Sequence, residues 1–340
     1  MHKIVLFDEG DFSFYEETQK PLGGTQTAFI GLVKGFEKLG FLVEVRNNCE
    51  VEYLSNLISW KKLDYSEKII GSIYIVNRNP KLLELVPKSA KKFLWLHNRG
   101  NYLIKLKNIK YLLMYYPILV FSGKFHKSTF YLWPFFKTKI IPYGLTEKFF
   151  QNKEKLKTPG PKAIFTSNPL RSLRWLVDRW IEVRKVVPNA ELHIFSGPAP
   201  YGSWGNSISS KMNVEINHAL SKSQNGIVVH DPIPKDELIK ELKSSRVMVY
   251  RGDIAETFCL SIAEALELGI PCVTMDLGSM KERIENEKTG FISNGDKEFV
   301  DKIVQVLTDN QLWTSFHENL YSKNVNLSWS ESAKKFIQVN

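Results

Sequence analysis

Residues 256–273 read E-T-F-C-L-S-I-A-E-A-L-E-L-G-I-P-C-V, and this stretch decides the predicted fold. The run Val247–Tyr250 before it is predicted to be a strand, and a helical pattern begins near Leu260. Gly269 and Pro271 end that helix, because glycine adopts the left-handed conformation of a helix C-terminus and proline cannot continue a helix. The sequence therefore predicts a strand, a loop and a helix in succession, a unit typical of parallel sheets.

The start of this helix is a candidate anion site. The N–H groups of residues 258–261 have no acceptor within the helix, and the helix dipole adds a positive field there. Glu256 precedes the helix and Glu264 lies within its first turns, so the two carboxylates can accept from hydroxyl groups of one ligand. We interpret the segment as a site for a diphosphate carrying vicinal diols. An amphipathic helix with ordinary surface glutamates is the alternative.

Strand and helix patterns alternate on both sides of this motif. Strands alternating with helices predict parallel sheets with right-handed crossovers. The predicted strands are Ile4–Phe7, Val43–Arg46, Ile73–Asn77, Phe93–His97, Leu119–Ser122, Lys139–Pro142, Ala163–Thr166, Glu191–Phe195, Ile227–His230, Val247–Tyr250 and Cys272–Met275. The predicted helices are Thr25–Leu39, Leu173–Val187, Lys235–Ser244, Leu260–Leu268 and a tail from about Phe299. The long segment 198–225 is predicted to be either a mobile insertion or a helix around Ser209–Ser221.

The polar stretch Gln151–Pro161 closes with Pro-Gly-Pro and is predicted to be a domain linker. A chain of 340 residues also suits two domains of about 150 residues each. We therefore predict doubly wound domains over residues 1–150 and 151–325, followed by a helical segment over 326–340. Ligands of such domains bind at the carboxyl ends of the strands, which predicts a site in the cleft between them.

Composition excludes several classes of protein. The longest apolar stretch, Tyr111–Phe121, is too short to span a bilayer and contains Pro117. The N-terminal residues M-H-K-I-V-L-F lack an extended apolar region and a cleavage site, so we expect a first strand and no signal peptide. Three widely spaced cysteines, Cys49, Cys259 and Cys272, have no metal-ligand spacing and are expected to be small buried side chains in a cytoplasmic protein.

The positive charge of the chain is concentrated between residues 81 and 140. This segment holds twelve lysines and arginines and one acid, Glu84, which gives it +11 against +10 for the whole chain. Phe93, Trp95 and Phe121 are expected in the core, whereas residues 131–136 (Y-L-W-P-F-F) have no period that would bury them all. Lysines beside tryptophan and tyrosine favour an anionic membrane surface. A solvated basic face and RNA binding are the alternatives.

Two other motifs could bind the same ligand as the helix at residue 260. Arg171 lies at a predicted helix start after strand 163–166, where it could form a charge-assisted pair with phosphate; Arg174 and Arg251 are further candidate cations. In the segment P-L-G-G-T-Q-T-A, Gly23 and Gly24 open the first helix and would let a ligand approach the backbone closely. An ordinary loop is the alternative for the glycines.

The spacing of Glu256 and Glu264, followed by A-L-x-x-G-x-P-x-V, resembles the signature of family-four-like retaining glycosyltransferases of the GT-B fold. The resemblance implies that Glu256 holds hydroxyls of the donor hexose and Glu264 those of the ribose. It also implies backbone donors at Phe258, Cys259, Leu260 and Ser261, a glycine loop at Gly23 and Gly24, and a last helix that crosses back to the first domain.

The same resemblance implies that His97 contacts the sugar and that Arg171 stands where a lysine is usual. This chain departs from the pattern elsewhere. Thr257 and Cys259 replace frequent glycines, Ser167 or Asn168 replaces an arginine, and Tyr143 stands where asparagine is common. Because of these departures, the motif does not supply the second cation that would bind the diphosphate.

We therefore predict transfer of a sugar from a UDP- or GDP-linked donor to a hydroxyl acceptor, with retention of the anomeric configuration. The expected catalytic residues are Glu256, His97 and Arg171, and the expected donor-binding residues are Glu264, Phe258, Cys259, Leu260, Ser261, Gly23, Gly24 and Arg251. No metal or other cofactor and no nucleic acid is expected. The predicted acceptor is a lipid-linked or cell-surface glycan, as in polysaccharide or lipopolysaccharide assembly, with the protein cytoplasmic and peripheral on the inner membrane face.

Two alternatives to this prediction remain open. A GT-B nucleotide-sugar epimerase would release nucleotide and modified sugar without an acceptor. A non-catalytic binder of nucleotide sugar or nucleic acid would release neither.

Overall fold

A computed structural model describes residues 2–14 and 21–338, with all side chains in these ranges except that of Ser203. The chain forms two compact units. The first comprises Met1–Thr18, Gly24–Gly144 and Leu327–Asn340, and the second comprises Gln19–Gly23 and Leu145–Asn326. Each unit is built on its own sheet.

The first unit contains an eight-stranded sheet in the order β3-β4-β2-β1-β5-β6-β7-β8. Only β3 runs antiparallel to its neighbour, β4. The carboxyl ends of β1, β5 and β6 therefore lie side by side at one edge of the sheet. The strands are β1 (Lys3–Phe7), β2 (Leu42–Asn47), β3 (Tyr53–Leu54), β4 (Ile58–Lys62), β5 (Ile73–Asn77), β6 (Lys91–Trp95), β7 (Ile118–Phe121) and β8 (Thr138–Ile140).

One face of this sheet is covered by the helix α1 (Gly24–Lys38) and the helix α13 (Trp329–Ile337). Gly31 and Gly35 make the close approach of these helices possible, since a Cβ at either position would overlap Trp329. The ring of Phe336 packs at 5.4 Å from that of Phe93. α13 begins with a capping box, in which Ser328 and Glu331 satisfy each other's backbone N–H groups.

The other face of the first sheet is covered by the basic segment of the chain. Its elements are the 3-10 helices Pro80–Leu85, Gly100–Ile104 and Trp133–Phe135, with helices α2 (Leu106–Tyr115) and α3 (Lys124–Ser128). Leu103, Leu112 and Phe130 are fully buried there against the strand residues Leu94 and Phe121.

The second unit contains a six-stranded parallel sheet in the order β12-β11-β10-β13-β14-β15. Its strands are β10 (Lys162–Phe165), β11 (Glu191–Phe195), β12 (Ile227–His230), β13 (Val247–Val249), β14 (Cys272–Met275) and β15 (Gly290–Ser293). The short strands β9 (Gly144–Leu145) and β16 (Leu327–Ser328) form a separate pair.

The helices of the second unit follow the strands in alternation. They are α4 (Glu147–Gln151), α5 (Leu173–Val186), α6 (Gly202–Ser207), α7 (Ser209–Leu220), α8 (Lys235–Lys243), α9 (Leu260–Glu267), α10 (Met280–Arg283), α11 (Asp296–Thr308) and α12 (Asn310–Tyr321), with 3-10 turns at Ala199–Tyr201 and Ser223–Asn225. Gly269 ends α9 in the left-handed region, with φ of 83°.

The predicted α/β class with parallel sheets is confirmed, and α7 is the helix that was one of the two alternatives for residues 198–225. Several strands end one or two residues earlier than predicted, and one of these differences concerns a site residue: β6 stops at Trp95, so that His97 lies two residues beyond the strand instead of closing it. The side chain of Asn77 bonds to the His97 ring there, and Leu96 makes the last main-chain bond to β7. Cys49, Cys259 and Cys272 are buried free thiols.

Across residues 2–14 and 21–338, every helix is either too short or too polar to cross a lipid bilayer.

Candidate functional site

The start of α9 is held by a loop whose backbone requires special conformations. Cys259 is the residue before the helix and has φ of 66° and ψ of 84°, in the left-handed region. This is the conformation that glycine adopts without strain, which explains why glycine is frequent here in the family that the sequence resembles. The Cys259 side chain is buried, and the first N–H groups of α9 have no intrahelical acceptor.

Glu256 is fixed in this loop through both its backbone and its side chain. Its N–H donates to the carbonyl of Asp253 at 2.9 Å, and its carbonyl accepts from the N–H of Ser279 at 3.0 Å. The hydroxyl of Tyr250 donates to Oε2 at 3.1 Å. Burial, followed by the Glu256 charge, raises the pKa of Tyr250 well above its usual value, so this hydroxyl stays a donor.

Arg171 lies in the electrostatic field of the same loop. Its guanidinium bonds to Asp253 Oδ1 at 2.7 Å. Burial works against the charge of Arg171, but the carboxylate of Glu256, followed by Tyr250 and Asp253, raises the pKa of the guanidinium above its usual value. Arg171 and Glu256 are therefore linked through Asp253, which binds the guanidinium with its carboxylate and the N–H of Glu256 with its carbonyl. The sequence predicts only a turn at Asp253.

The other two candidate cations lie beside the start of α5. Arg174 forms an exposed ion pair with Glu215 at 3.1 Å. Arg251 stacks on the ring of Trp175, with 5.1 Å between its Cζ atom and the ring centroid, and bonds weakly to the hydroxyl of Ser172 at 3.4 Å. Arg251 is thus the better placed of the two to meet a ligand, because Arg174 is already neutralised.

Glu264 is almost completely buried and is paired with a cation that the sequence did not indicate. The Nζ atom of Lys235, at the first position of α8, lies 2.5 Å from Glu264 Oε1. The exposed fractions of the two side chains are 24% for Lys235 and 4% for Glu264. The two residues are 29 positions apart, and no pattern in the sequence links them.

A third glutamate on α9, Glu267, has a structural role. It is fully buried, pairs with Lys153 at 3.1 Å and accepts from the N–H groups of Val325 and Asn326. These bonds anchor the chain segment that follows α12. Glu267 therefore has no capacity left for a ligand, in contrast to Glu256 and Glu264.

The two glycines of the predicted N-terminal loop belong to different parts of the structure. Gly23 lies in the second unit, where its N–H donates to the carbonyl of Pro200 at 2.6 Å. A Cβ at this position would come within 2.9 Å of the Tyr201 ring. Gly24 is the first residue of α1 in the first unit. The Tyr201 ring that lies against Gly23 carries a hydroxyl that stays protonated, because burial raises the pKa of Tyr201 to about 12.

A chain of hydrogen bonds crosses the carboxyl ends of β1, β5 and β6 in the first unit. Arg78 donates to both oxygens of the buried Asp8 at 2.9 Å, and the amide of Asn77 donates to Asp8 at 2.5 Å. The Asn77 carbonyl oxygen lies 2.6 Å from His97 Nε2. The hydroxyl of Tyr143 lies 2.5 Å from His97 Nδ1.

This chain determines the tautomer of His97. A carboxylate paired with a guanidinium only accepts, so Asn77 presents its N–H to Asp8 and its oxygen to the imidazole. Nε2 of His97 therefore carries the proton, and Nδ1 accepts from Tyr143. Burial, followed by the charges of Arg78 and His126, holds the pKa of His97 well below its usual value, so the ring is neutral.

Sequence reasoning named His97 and missed Asp8, Asn77 and Arg78. The signal was present, because Asp8 and Asn77 stand at the ends of predicted strands, where ligands of parallel sheets bind. Within residues 2–14 and 21–338, no three His, Cys, Asp or Glu side chains are grouped so as to hold a metal ion.

Solved structures with this architecture cover nearly the whole chain. Sucrose-phosphate synthase from Thermosynechococcus elongatus matches with a TM-score of 0.75 and 14% identity, over 99% of this chain and 98% of that one. The trehalose-6-phosphate synthase OtsA matches with 0.77 and 12% identity over 99% of each chain. Anabaena HepE in complex with UDP and glucose matches with 0.71 and 13% identity, also over 99% of each. The chain has the GT-B fold of these glycosyltransferases.

A family model matches most of the second unit. Residues 161–309 match the family described as Glycosyl transferases group 1. This range contains Arg171, Glu256 and Glu264. No curated protein matches the chain by sequence. The resemblance to GT-B glycosyltransferases that the Glu256–Glu264 motif indicated is confirmed.

Proposed function

We propose that the protein transfers a sugar from a nucleoside diphosphate sugar, UDP- or GDP-linked, to a hydroxyl acceptor with retention of configuration. One observation carries this proposal: Arg171 and Glu256 both bind Asp253 in the loop that leads into α9, the helix on which Glu264 lies. The site therefore combines a cation and the N–H groups of a helix start for a diphosphate with two carboxylates for hydroxyls. The complex of the similar HepE with UDP and glucose supports this class of donor.

The diphosphate is the part of the donor that gains negative charge as the glycosidic bond breaks. Arg171 and the N–H groups at the start of α9 would stabilise this charge, which is electrostatic preorganisation. Arg171 is already paired with Asp253 at 2.7 Å. A bound diphosphate would therefore either displace Asp253 from the guanidinium or bind beside it. Arg251, held over Trp175, is the proposed second cation.

The two carboxylates would hold opposite ends of the donor. Tyr250 binds Oε2 of Glu256, which leaves Oε1 to accept from hydroxyls of the transferred sugar. Glu264 would accept from the ribose, and the amides of Phe258, Cys259, Leu260 and Ser261 would face the phosphates and sugar. His97, whose neutral ring is bonded to Asn77 and Tyr143, is the residue of the first unit proposed to contact the sugar.

Retention is proposed from the family resemblance of the motif. The leaving phosphate would take the proton of the acceptor hydroxyl on the same face, so no side chain is assigned as general base. The anomeric proton of the product, followed by nuclear magnetic resonance from the first turnovers, tests this step. A product with inverted configuration would refute it.

The donor is tested by incubating the protein with UDP-, GDP- and dTDP-sugars and following free nucleotide by chromatography. Transfer predicts nucleotide release that depends on an added acceptor. Release with a modified free sugar and no acceptor would indicate an epimerase, and no release despite binding would indicate a non-catalytic protein.

The diphosphate contact is tested with Arg171→Ala. We expect the affinity for UDP or GDP to fall more than that for the corresponding nucleoside, because charge-assisted bonds to phosphate are lost. Equal losses for both ligands would place Arg171 away from the phosphates. Arg174→Ala is the matched control, since its charge is used by Glu215.

The proposed reaction needs no metal ion, since an arginine and backbone donors neutralise the leaving group. Activity is therefore expected to survive EDTA. Loss of activity that manganese restores would contradict this part of the proposal.

The acceptor is proposed to be lipid-linked and to be presented at an anionic membrane. The first unit has a surface that suits this, which we call the basic-aromatic face and define as residues 105–116 and 124–140. Its most exposed apolar side chains are Leu106 at 86%, Phe135 at 81%, Tyr116 at 72% and Tyr131 at 65%. α2 and the 3-10 helix Trp133–Phe135 lie beside one core cluster on one side of the sheet.

Cations surround these apolar side chains. Lys127 lies over the ring of Trp133, with 3.9 Å between Nζ and the ring centroid. The exposed lysines of the face are Lys105, Lys107, Lys110, Lys124, Lys137 and Lys139. Basic residues near an anionic bilayer contribute about 1 kcal/mol each, and exposed aromatic rings suit the headgroup region. The charge of the face and its aromatic residues together favour an anionic lipid surface over a nucleic acid.

A further inference from the structure

The buried ion pair between Lys235 and Glu264 has a feature that the proposed donor site does not explain. The carboxylate of Glu264 is 4% exposed, and one of its oxygens, Oε1, takes the Lys235 ammonium at 2.5 Å. Among the residues that the structure describes, no hydrogen bond is made to Oε2. Oε1 of Glu264 is therefore bound to Lys235, and Oε2 can accept hydrogen bonds from a ligand.

Lys235 is held in place from its own side of the pair. It is the first residue of α8, and its ammonium lies 5.9 Å from the centroid of the buried Phe149 ring on α4. The side chain is 24% exposed, less than that of Lys148, which is 51% exposed in its pair with Asp236. A short, partly desolvated contact of this kind defines the rotamer of both partners.

The orientation of the Glu264 carboxylate decides what it can bind. A carboxylate oxygen has two lone pairs, so an oxygen that receives no donor from the protein can accept from both hydroxyls of a vicinal diol. The contact between Lys235 and Oε1 fixes the plane of the carboxylate, and with it the position of Oε2.

We propose that Lys235 is a positioning residue that holds the Glu264 carboxylate so that Oε2 faces the ribose diol of the donor. This inference rests on the proposed function, since it assumes that Glu264 binds the ribose. Lys235 itself acts through the carboxylate and makes no contact with the phosphates.

The other charged groups on the elements packed against α9 have partners of their own. Lys148 on α4 pairs with Asp236, and Lys153 pairs with Glu267 one turn along α9. His317 on α12 bonds to the carbonyl of Gly269. The remaining titratable groups on these elements are Glu147 on α4, Glu318 and Tyr321 on α12 and Cys272 on β14. Among the residues that the structure describes, Lys235 is the cation paired with Glu264.

The test is calorimetric binding at one fixed pH to wild type, Lys235→Met and Lys235→Arg. The probes are UDP-glucose and GDP-mannose, together with uridine and guanosine. In Lys235→Met we expect the affinity of the preferred sugar nucleotide to fall by about tenfold or more, because the carboxylate of Glu264 loses the charge-assisted contact that fixes its orientation.

Three further results complete the prediction. Lys235→Arg should keep near wild-type affinity, because it keeps a cation beside Glu264. In Lys235→Met the nucleoside should lose as much affinity as the sugar nucleotide, because the ribose contact is common to both. The matched control Lys148→Met removes an exposed cation from a neighbouring element and should leave the affinity unchanged.

Two outcomes would overturn the inference: an unchanged affinity in Lys235→Met, or a loss for the sugar nucleotide that exceeds the loss for the nucleoside. The second would mean that Lys235 binds phosphate directly. Glu264→Gln separates this from failure of the proposed function. If Glu264→Gln binds both kinds of probe as wild type does, the ribose assignment is wrong. If it weakens both while Lys235→Met does not, only the positioning role is wrong.

Discussion

At the scale of the residue, Glu256 is the side chain on which the proposed chemistry depends most. Its backbone is fixed at both ends by Asp253 and Ser279, and Tyr250 donates to one carboxylate oxygen. Its position is thus set by the protein before a donor binds. A substitution there should remove a contact without disturbing the fold.

We predict that Glu256→Gln lowers the rate of transfer by about 10- to 150-fold, the effect of losing about 1.5–3 kcal/mol of hydrogen bonding to a charged group. The initial rate with the preferred donor measures it, and circular dichroism checks the fold. Glu237→Gln, on the exposed first turn of α8, is the matched control and should be without effect. Near-normal turnover in Glu256→Gln would remove the main catalytic assignment.

Cys259 offers a prediction about the loop itself. Its φ of 66° suits glycine, so Cys259→Gly should leave the melting temperature nearly unchanged, with relief of strain offsetting the loss of a small buried side chain. Cys259→Val should destabilise by about 2 kcal/mol or more, because a β-branched residue resists positive φ. Thermal unfolding of both variants checks this. A valine variant as stable as the glycine variant would contradict it.

His126 should make the stability of the protein depend on pH. Burial lowers its pKa from 6.5 to about 4, and its ring bonds to Ser122 and Asn98 in the neutral form. Between these pH values the unfolded chain binds a proton that the native chain does not. Stability is therefore lost as the pH falls from 6.5 toward 4, by up to about 1.4 kcal/mol per unit.

Urea unfolding at several pH values measures this slope. In His126→Gln the amide can replace both ring hydrogen bonds without titrating, so the slope should be smaller by about one proton. His97, whose pKa is also lowered by burial, contributes to the slope that remains. An unchanged slope in His126→Gln would show that another group is responsible.

Individual residues were predictable from the sequence where a motif or a strand end marked them, as for Glu256, Glu264, Arg171 and His97. Asp253 was missed because an aspartate after glycine is typical of turns, and its ion pair with Arg171 depends on tertiary structure. Lys235 was missed for the same reason. A contact between two residues far apart in the chain leaves no local pattern for either of them.

At the scale of the element, most strands and helices were predictable because each is buried on a regular period. β5, β11, β12 and β14 have the predicted bounds. Strand β4 (I-S-W-K-K) was not predicted, since it is short, lies near the sheet edge and ends in exposed lysines. β6 was predicted two residues too long, because His97 follows apolar residues that belong partly to the loop.

The packing of α1 on α13 leads to a prediction about a glycine. Gly35→Ala should raise the helix propensity of α1 by about 1 kcal/mol, yet its methyl group would overlap the backbone of Trp329. Overpacking of this kind costs about 1–3 kcal/mol, so we expect a lower melting temperature. Gly160→Ala, whose Cβ would meet no neighbour within 4 Å, is the control. An increase in melting temperature for Gly35→Ala would show that the helices can separate without loss.

At the scale of the whole molecule, the uneven distribution of charge is the main feature. Residues 81–140 carry +11 while the chain carries +10, so the rest of the protein is close to neutral. The α/β fold class could be predicted from the alternation of strand and helix patterns alone. The exposure of the basic-aromatic face could be predicted only in part, from the missing period in residues 131–136.

The membrane proposal is tested by flotation with vesicles of phosphatidylcholine alone or with phosphatidylglycerol. We expect binding to the anionic vesicles that weakens with salt, because the attraction is electrostatic and screened. Lys105→Glu, Lys107→Glu and Lys110→Glu together should reduce it strongly. The matched control is Lys185→Glu, Lys211→Glu and Lys240→Glu, which makes the same change of charge on exposed positions of the second unit.

A protein that stays unbound at low salt, or a control triple that reduces binding as much, would refute the membrane proposal. Phe135→Ser should weaken binding without changing its salt dependence, since it removes apolar contact and no charge.

The packing of α13 on α1 also has a consequence for biosynthesis. The first unit is assembled from residues at both ends of the chain, and the groove beside Gly31 and Gly35 is filled by Trp329. A ribosome must therefore translate all of residues 145–326 before the unit that began to form first can be completed. During that interval Phe93 and Trp95 lack the cover of Trp329 and Phe336, and the nascent chain has an apolar surface that chaperones can bind. The second unit, in contrast, has all its residues once position 326 has been translated.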